Sequence, residues 1–163
     1  MDTVRHEIAL YLNDHLAGAT AGVELADRIA REHENPALAG LARDIHEDRE
    51  SLRRIMTGLD VQQDLVKIAA GWLSEKVGRL KLNGHLFAAS PLSYVVDLEA
   101  LRLAVDGNAA GWQTLRALAD HNDRLDRAHL DELLTRAEAQ RQTLEALRGQ
   151  AVAEVFVEPE AKH

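Results

Sequence analysis

The run IALYLNDHLAGATAGVELADRIAREHENPALAGLARDIHEDRESLRRIM, residues 8–56, decides the fold class. Its apolar positions recur at helical spacing, first through Ile8, Leu12, Leu16, Ala19, Val23, Ala26 and Ala30. They recur again through Leu38, Leu41, Ile45, Leu52, Ile55 and Leu59, as one buried face of a helix requires. Between the two stripes stands Asn35-Pro36, a capping side chain followed by a proline suited to the first helical position. Two helices joined by about two residues can only lie antiparallel. The spacing predicts helix 1 over Thr3–His33 and helix 2 over Pro36–Thr57.

Outward from this hairpin, the same signals repeat. Gly58 suits a helix stop, and Asp60 with Gln63 has the form of a capping box opening a middle helix over Val61–Leu82. Ser90-Pro91 opens helix 3, expected to reach Ala119 with Leu98, Leu101, Val105, Trp112 and Ala119 inside. The turn chemistry of Asp120-His-Asn-Asp123 separates it from helix 4, expected over Arg127–Val155 with Leu130, Leu134, Ala137, Leu144 and Ala151 inside. A hairpin, a long helical connection and a second hairpin make an all-α four-helix bundle with a long helical crossover between helices 2 and 3. One domain over residues 1–155 and a fraying tail over 156–163 are expected.

Composition narrows the function classes. The 163 residues contain no cysteine, which excludes disulfides, thiolate metal sites and cysteine nucleophiles. A net charge of −8 argues against nucleic acid as a partner. No apolar run is long enough to span a bilayer and no secretory signal pattern opens the chain, so a cytoplasmic bacterial protein without a membrane partner is expected. Phosphate loops, dinucleotide fingerprints and Ser-His-Asp patterns are absent from the sequence.

YLNDHLAGATAGVELADRIA (11–30) and LARDIHEDRESLRRIM (41–56) resemble the first two helices of the ferritin-like, rubrerythrin-type superfamily. The resemblance implies a ferritin-like bundle. Active members hold two irons on single glutamates from two helices and Glu-x-x-His pairs from the other two. Glu24 and Glu99 match the single glutamates, but before the C-terminal tail no glutamate has a histidine three residues on. Before the tail, which carries Glu160 and His163 at its end, the one acid-x-x-His is Asp126–His129, at the start of helix 4. Position 141, where a histidine would follow Glu138, is an arginine. The chain is therefore expected to lack the di-iron site and any cofactor, and to act as a binding or interaction protein instead of an enzyme. The alternative is an oxidoreductase or metal-handling protein with a rearranged iron or manganese site on His15, Glu24 and Asp48.

Facing sharpens the alternatives. At about 100° per residue, Asp48 lies on the apolar stripe of helix 2, while Glu47 and Glu50 point away from it. A buried carboxylate must be paired or protonated, so a polar contact of Asp48 with Arg141 or His15 is expected inside the bundle. Asp97 and Asn108 fall near the inner face of helix 3. Acid-first pairs such as Glu24–Arg28, Glu50–Arg54 and Glu132–Arg136 are expected to lace the solvated faces, each worth about 0.3–0.5 kcal/mol. Gly18/Gly22 and Gly107/Gly111 are candidates for close helix approach, within the bundle or against a second subunit. The middle segment carries two apolar rows, Leu65, Ile68, Trp72 and Val66, Ala69, Leu73, Val77, Leu80, which favours a homodimer.

Overall fold

The computed structural model describes residues 2–64 and 90–157. Among them are four α-helices and no strand: α1 (Asp2–Glu32), α2 (Pro36–Gly58), α3 (Pro91–Leu118) and α4 (Arg127–Phe156). The caps act as the sequence implies. The Asn35 side chain accepts from the Ala37 N–H, the Ser90 side chain from the Ser93 N–H, and Asp126 from the His129 N–H, each relieving an orphan donor of the first turn. Within the 119–126 turn, Asn122 Oδ1 accepts from the Arg124 N–H.

The end of α2 departs from the expected capping box. Gly58 is still helical, and the chain leaves the helix through Asp60 at φ 57°. The Val61 N–H reaches the Met56 carbonyl at 2.9 Å, and the Asp60 N–H reaches that of Thr57 at 3.1 Å. This is a Schellman stop with a non-glycine residue in the left-handed position. Buried Val61 and Met56 supply its hydrophobic contact. Residues 61–64 are irregular, so no helix starts at Asp60; the rest of the expected middle helix, and the loop before Ser90, lie outside the described residues. Asp60 also carries negative charge at a helix C-terminus, relieved by Arg124 at 2.7 Å on an exposed surface. Asp60→Gly is therefore expected to stabilise the protein by about 0.5–1 kcal/mol, the relief of left-handed strain exceeding the added entropy of the unfolded chain. A higher urea midpoint at unchanged slope is the expected reading.

Ion pairs and ring contacts fix the directions of the helices. From α1 to α3 they run Tyr11–Thr114, Arg28–Asp97 and His33–Tyr94, the number rising on one helix as it falls on the other. From α3 to α4 they run Glu99–Arg148, Asp106–Arg141 and Arg116–Asp131, again antiparallel. With α1 and α2 joined by a short turn, α2 and α3 are parallel, and the end of α2 and the start of α3 lie at opposite ends of the bundle. The core between them is built from leucines such as Leu12, Leu16, Leu98, Leu101, Leu115 and Leu144, each at most 1% exposed. Each such side chain contributes roughly 1.5–3 kcal/mol of burial.

One glycine of each pair sits in the α1–α3 contact. A Cβ at Gly22 would meet the Ala104 Cβ at 3.3 Å, and one at Gly111 would meet the His15 ring at 3.0 Å. Gly18 and Gly107 look into open space.

Candidate functional site

Two of the buried polar groups, Asp48 and Gln140, meet where α2 faces α4. Asp48 is 1% exposed, as its place on the α2 stripe requires. Its partners are not those expected. Arg136 reaches Oδ1 with Nε at 2.8 Å and Nη2 at 2.6 Å, and Gln140 donates its amide N–H to Oδ2 at 2.7 Å. Arg136 also holds Glu47 at 2.9 Å, which leaves the guanidinium bridging a buried and an exposed carboxylate. Arg141 turns outward to Asp106 at 2.8 Å and Glu138 at 3.2 Å. Burial pushes the Asp48 carboxyl above the usual carboxylate range, and the contacts from Gln140 and Arg136 pull it part of the way back.

The error in the partner has a local cause. The buried face of α4 is Leu130, Leu133, Ala137, Gln140, Leu144, Leu147 and Ala151. That is an unbroken alternation of three- and four-residue steps in which Gln140 occupies a core place. A stripe built from apolar residues alone skips Gln140 and takes Leu134, which is only partly buried, for Leu133. The remaining signal was an uncharged polar residue at a heptad position.

His15 stands elsewhere, between α1 and α3. Its ring packs on Tyr11 with centroids 4.4 Å apart and fills the space that Gly111 leaves open. Burial lowers its pKa, against a smaller opposing effect from Asp14, so the imidazole is held toward neutrality. With Asn108, Trp112, Leu12, Leu52 and Leu115 it lines a cleft too narrow for a water molecule. The Trp112 indole N–H is buried there and has no acceptor among the described residues. Glu24 is exposed, and Glu99, the other match to a single glutamate, is a 53% exposed side chain 3.7 Å from Arg148. Among the described residues, no three His, Asp or Glu side chains come together as a metal-binding group, so His15, Glu24 and Asp48 are not brought into one site.

A second buried carboxylate is served from α1. Arg28 grips Asp97 with two parallel hydrogen bonds of 2.9 Å each, a fork geometry stronger than a single contact. Arg28 also holds Glu32 at 3.3 Å, not the expected Glu24. On the α1–α2 surface, His46 meets Asp27 at 3.0 Å. Near the start of α1, buried Asn13 donates to the Gln62 carbonyl at 3.0 Å and accepts from the Asp64 N–H at 2.9 Å. Its carboxamide acts there as a substitute peptide group, pinning the chain that follows α2.

What this arrangement does chemically is neutralise its own charges. Asp48 and Asp97 are each held by an arginine from another helix, and the heavier cost of an unpaired buried carboxylate is avoided. No described helix is long and apolar enough to cross a membrane. Compared with known proteins, the chain matches no family model, no curated protein and no solved structure.

Proposed function

We propose that this chain is a ferritin-like four-helix bundle without a di-iron centre. In this reading it is a cytoplasmic bacterial protein that works by binding a partner, beginning with a second copy of itself. The parallel run of α2 and α3, which demands a connection from one end of the bundle to the other, supports the ferritin-like part. The observation that carries the binding reading is the state of Asp48. A metal ligand must offer a free lone pair, and here two donors of Arg136 fill Oδ1 and Gln140 takes one of the two positions on Oδ2, which leaves a single buried lone pair. A guanidinium 2.6 Å from the carboxylate also repels a divalent cation.

The competing reading, a metal-handling oxidoreductase on His15, Glu24 and Asp48, would need those three side chains to regroup. Anaerobic loading with Fe(II) or Mn(II), followed by elemental analysis and a melting curve, decides between them. The expected result is no stoichiometric metal and an unchanged midpoint. A resident metal at a hundredfold excess over its dissociation constant would add about 2.7 kcal/mol and raise the midpoint visibly. That outcome, with metal bound in stoichiometric amount, would overturn the proposal.

A further inference from the structure

The outer face of α3 is unlike the rest of the surface. Val96, Leu103, Gly107, Ala110, Thr114 and Ala117 follow one another at steps of 7, 4, 3, 4 and 3 residues, the period that keeps a seam on one side of a helix. All six are exposed, Leu103 at 71% and Val96 at 47%. They lie on the side away from Leu98, Leu101, Val105 and Trp112, which face the core. The stripe carries no charge in a chain that is 28% charged residues. Its one polar side chain is already satisfied, since the Thr114 hydroxyl accepts from Tyr11 at 2.8 Å and donates to the Ala110 carbonyl at 3.1 Å. A partner covering this face would strand no side-chain hydrogen-bonding group of the stripe.

The stripe is ordered by size. Its large residues, Val96 and Leu103, occupy the N-terminal half, Gly107 stands at the middle, and Ala110, Thr114 and Ala117 fill the C-terminal half. Such a face fits a copy of itself turned end for end, because a two-fold axis between Asp106 and Gly107 sets large against small on both sides. Leu103 then meets Ala110 of the partner subunit, and Val96 meets Ala117 of the partner subunit. Gly107, with nothing within 4 Å of its Cβ position, lets the two axes approach.

We propose that α3 is the homodimer interface, two copies packing antiparallel across Gly107. This names the partner for the interaction role argued above. It rests on that reading only in treating the face as an interface, because metal uptake and self-association are read by separate measurements.

Sedimentation equilibrium of the full chain is expected to give a dimer, and Leu103→Glu a monomer with unchanged helical circular dichroism. Because the chain has no cysteine, a single one reports its own neighbour. Gly107→Cys is expected to form a disulfide-linked dimer on oxidation, whereas Glu34→Cys, in the exposed α1–α2 turn, is expected to stay unlinked. A monomeric wild-type chain would overturn the proposal, as would a Leu103→Glu variant that remains dimeric. So would cross-linking through Glu34→Cys in preference to Gly107→Cys. A monomer whose melting point falls on Leu103→Glu substitution would also overturn it, by showing that the chain covers this face itself.

Discussion

Arg136→Met is expected to destabilise the protein by about 3–5 kcal/mol at neutral pH, because it leaves Asp48 charged, buried and held by Gln140 alone. Asp48→Asn removes the same ion pair from the other side and should cost only about 1–2 kcal/mol. The asymmetry follows from exposure. The Arg136 side chain is 27% exposed and keeps Glu47, while Asp48 is 1% exposed and has no route to water. Urea unfolding of both variants measures the difference, and equal losses would contradict it.

The sign of the pH dependence is a second check on the same pair. The native pKa of Asp48 lies above its unfolded value of 3.8, so between those two values the native chain holds the proton and the unfolded chain does not. Stability from this group is therefore gained as the pH falls through the native pKa, and its full cost is present only above it. Without Arg136 the native pKa rises further. The gap between wild type and Arg136→Met is expected to narrow on acidification from neutral pH, as the Asp48 carboxyl of the variant takes up its proton first.

Leu98→Ala should cost about 3–4 kcal/mol, within the range for a leucine removed from a core that cannot collapse around the hole. Leu98 is 0% exposed and belongs to the cluster with Leu101, Val105 and Leu115. Its neighbour on the same helix, Leu103, is 71% exposed, and its truncation should leave the folded chain intact. Thermal and urea unfolding of the two leucine-to-alanine variants should separate them cleanly. Comparable losses would mean that the faces of α3 are wrongly assigned.

The helices were legible because their ends are written in side chains. Asn35, Ser90 and Asp126 each cap through an oxygen two or three residues from its donor, so local sequence is enough. The burial of Asp48, Asp97 and Asn108 was legible from angle alone. What the sequence did not give away was where the arginines reach. Arg28 and Arg136 each have an acid four residues earlier, Glu24 and Glu132, yet both cross to another helix for a buried carboxylate. The pull of an exposed acid along the helix is a few tenths of a kcal/mol. A desolvated carboxylate across the bundle outweighs it, and which one lies within reach depends on how the helices are turned. Gln140 was missed for a related reason: a polar residue in a core position is recognisable only once its partner is known. At Asp60 the stop came two residues late, because the hydrogen bonds and the Val61–Met56 contact stabilise a conformation that Gly58 would have adopted more readily.

The antiparallel hairpins have a kinetic consequence. Within each half of the chain, contacts such as Asp27–His46 and Arg116–Asp131 join residues close in sequence, and the loops they close are short. The links between halves are of another kind: Arg28–Asp97 spans 69 positions and Asp48–Arg136 spans 88. Closing a long loop takes its entropy before any contact rewards it. The slow event in folding this chain is therefore expected to be the meeting of the two hairpins, with the two buried arginine–aspartate pairs as the fastenings between them.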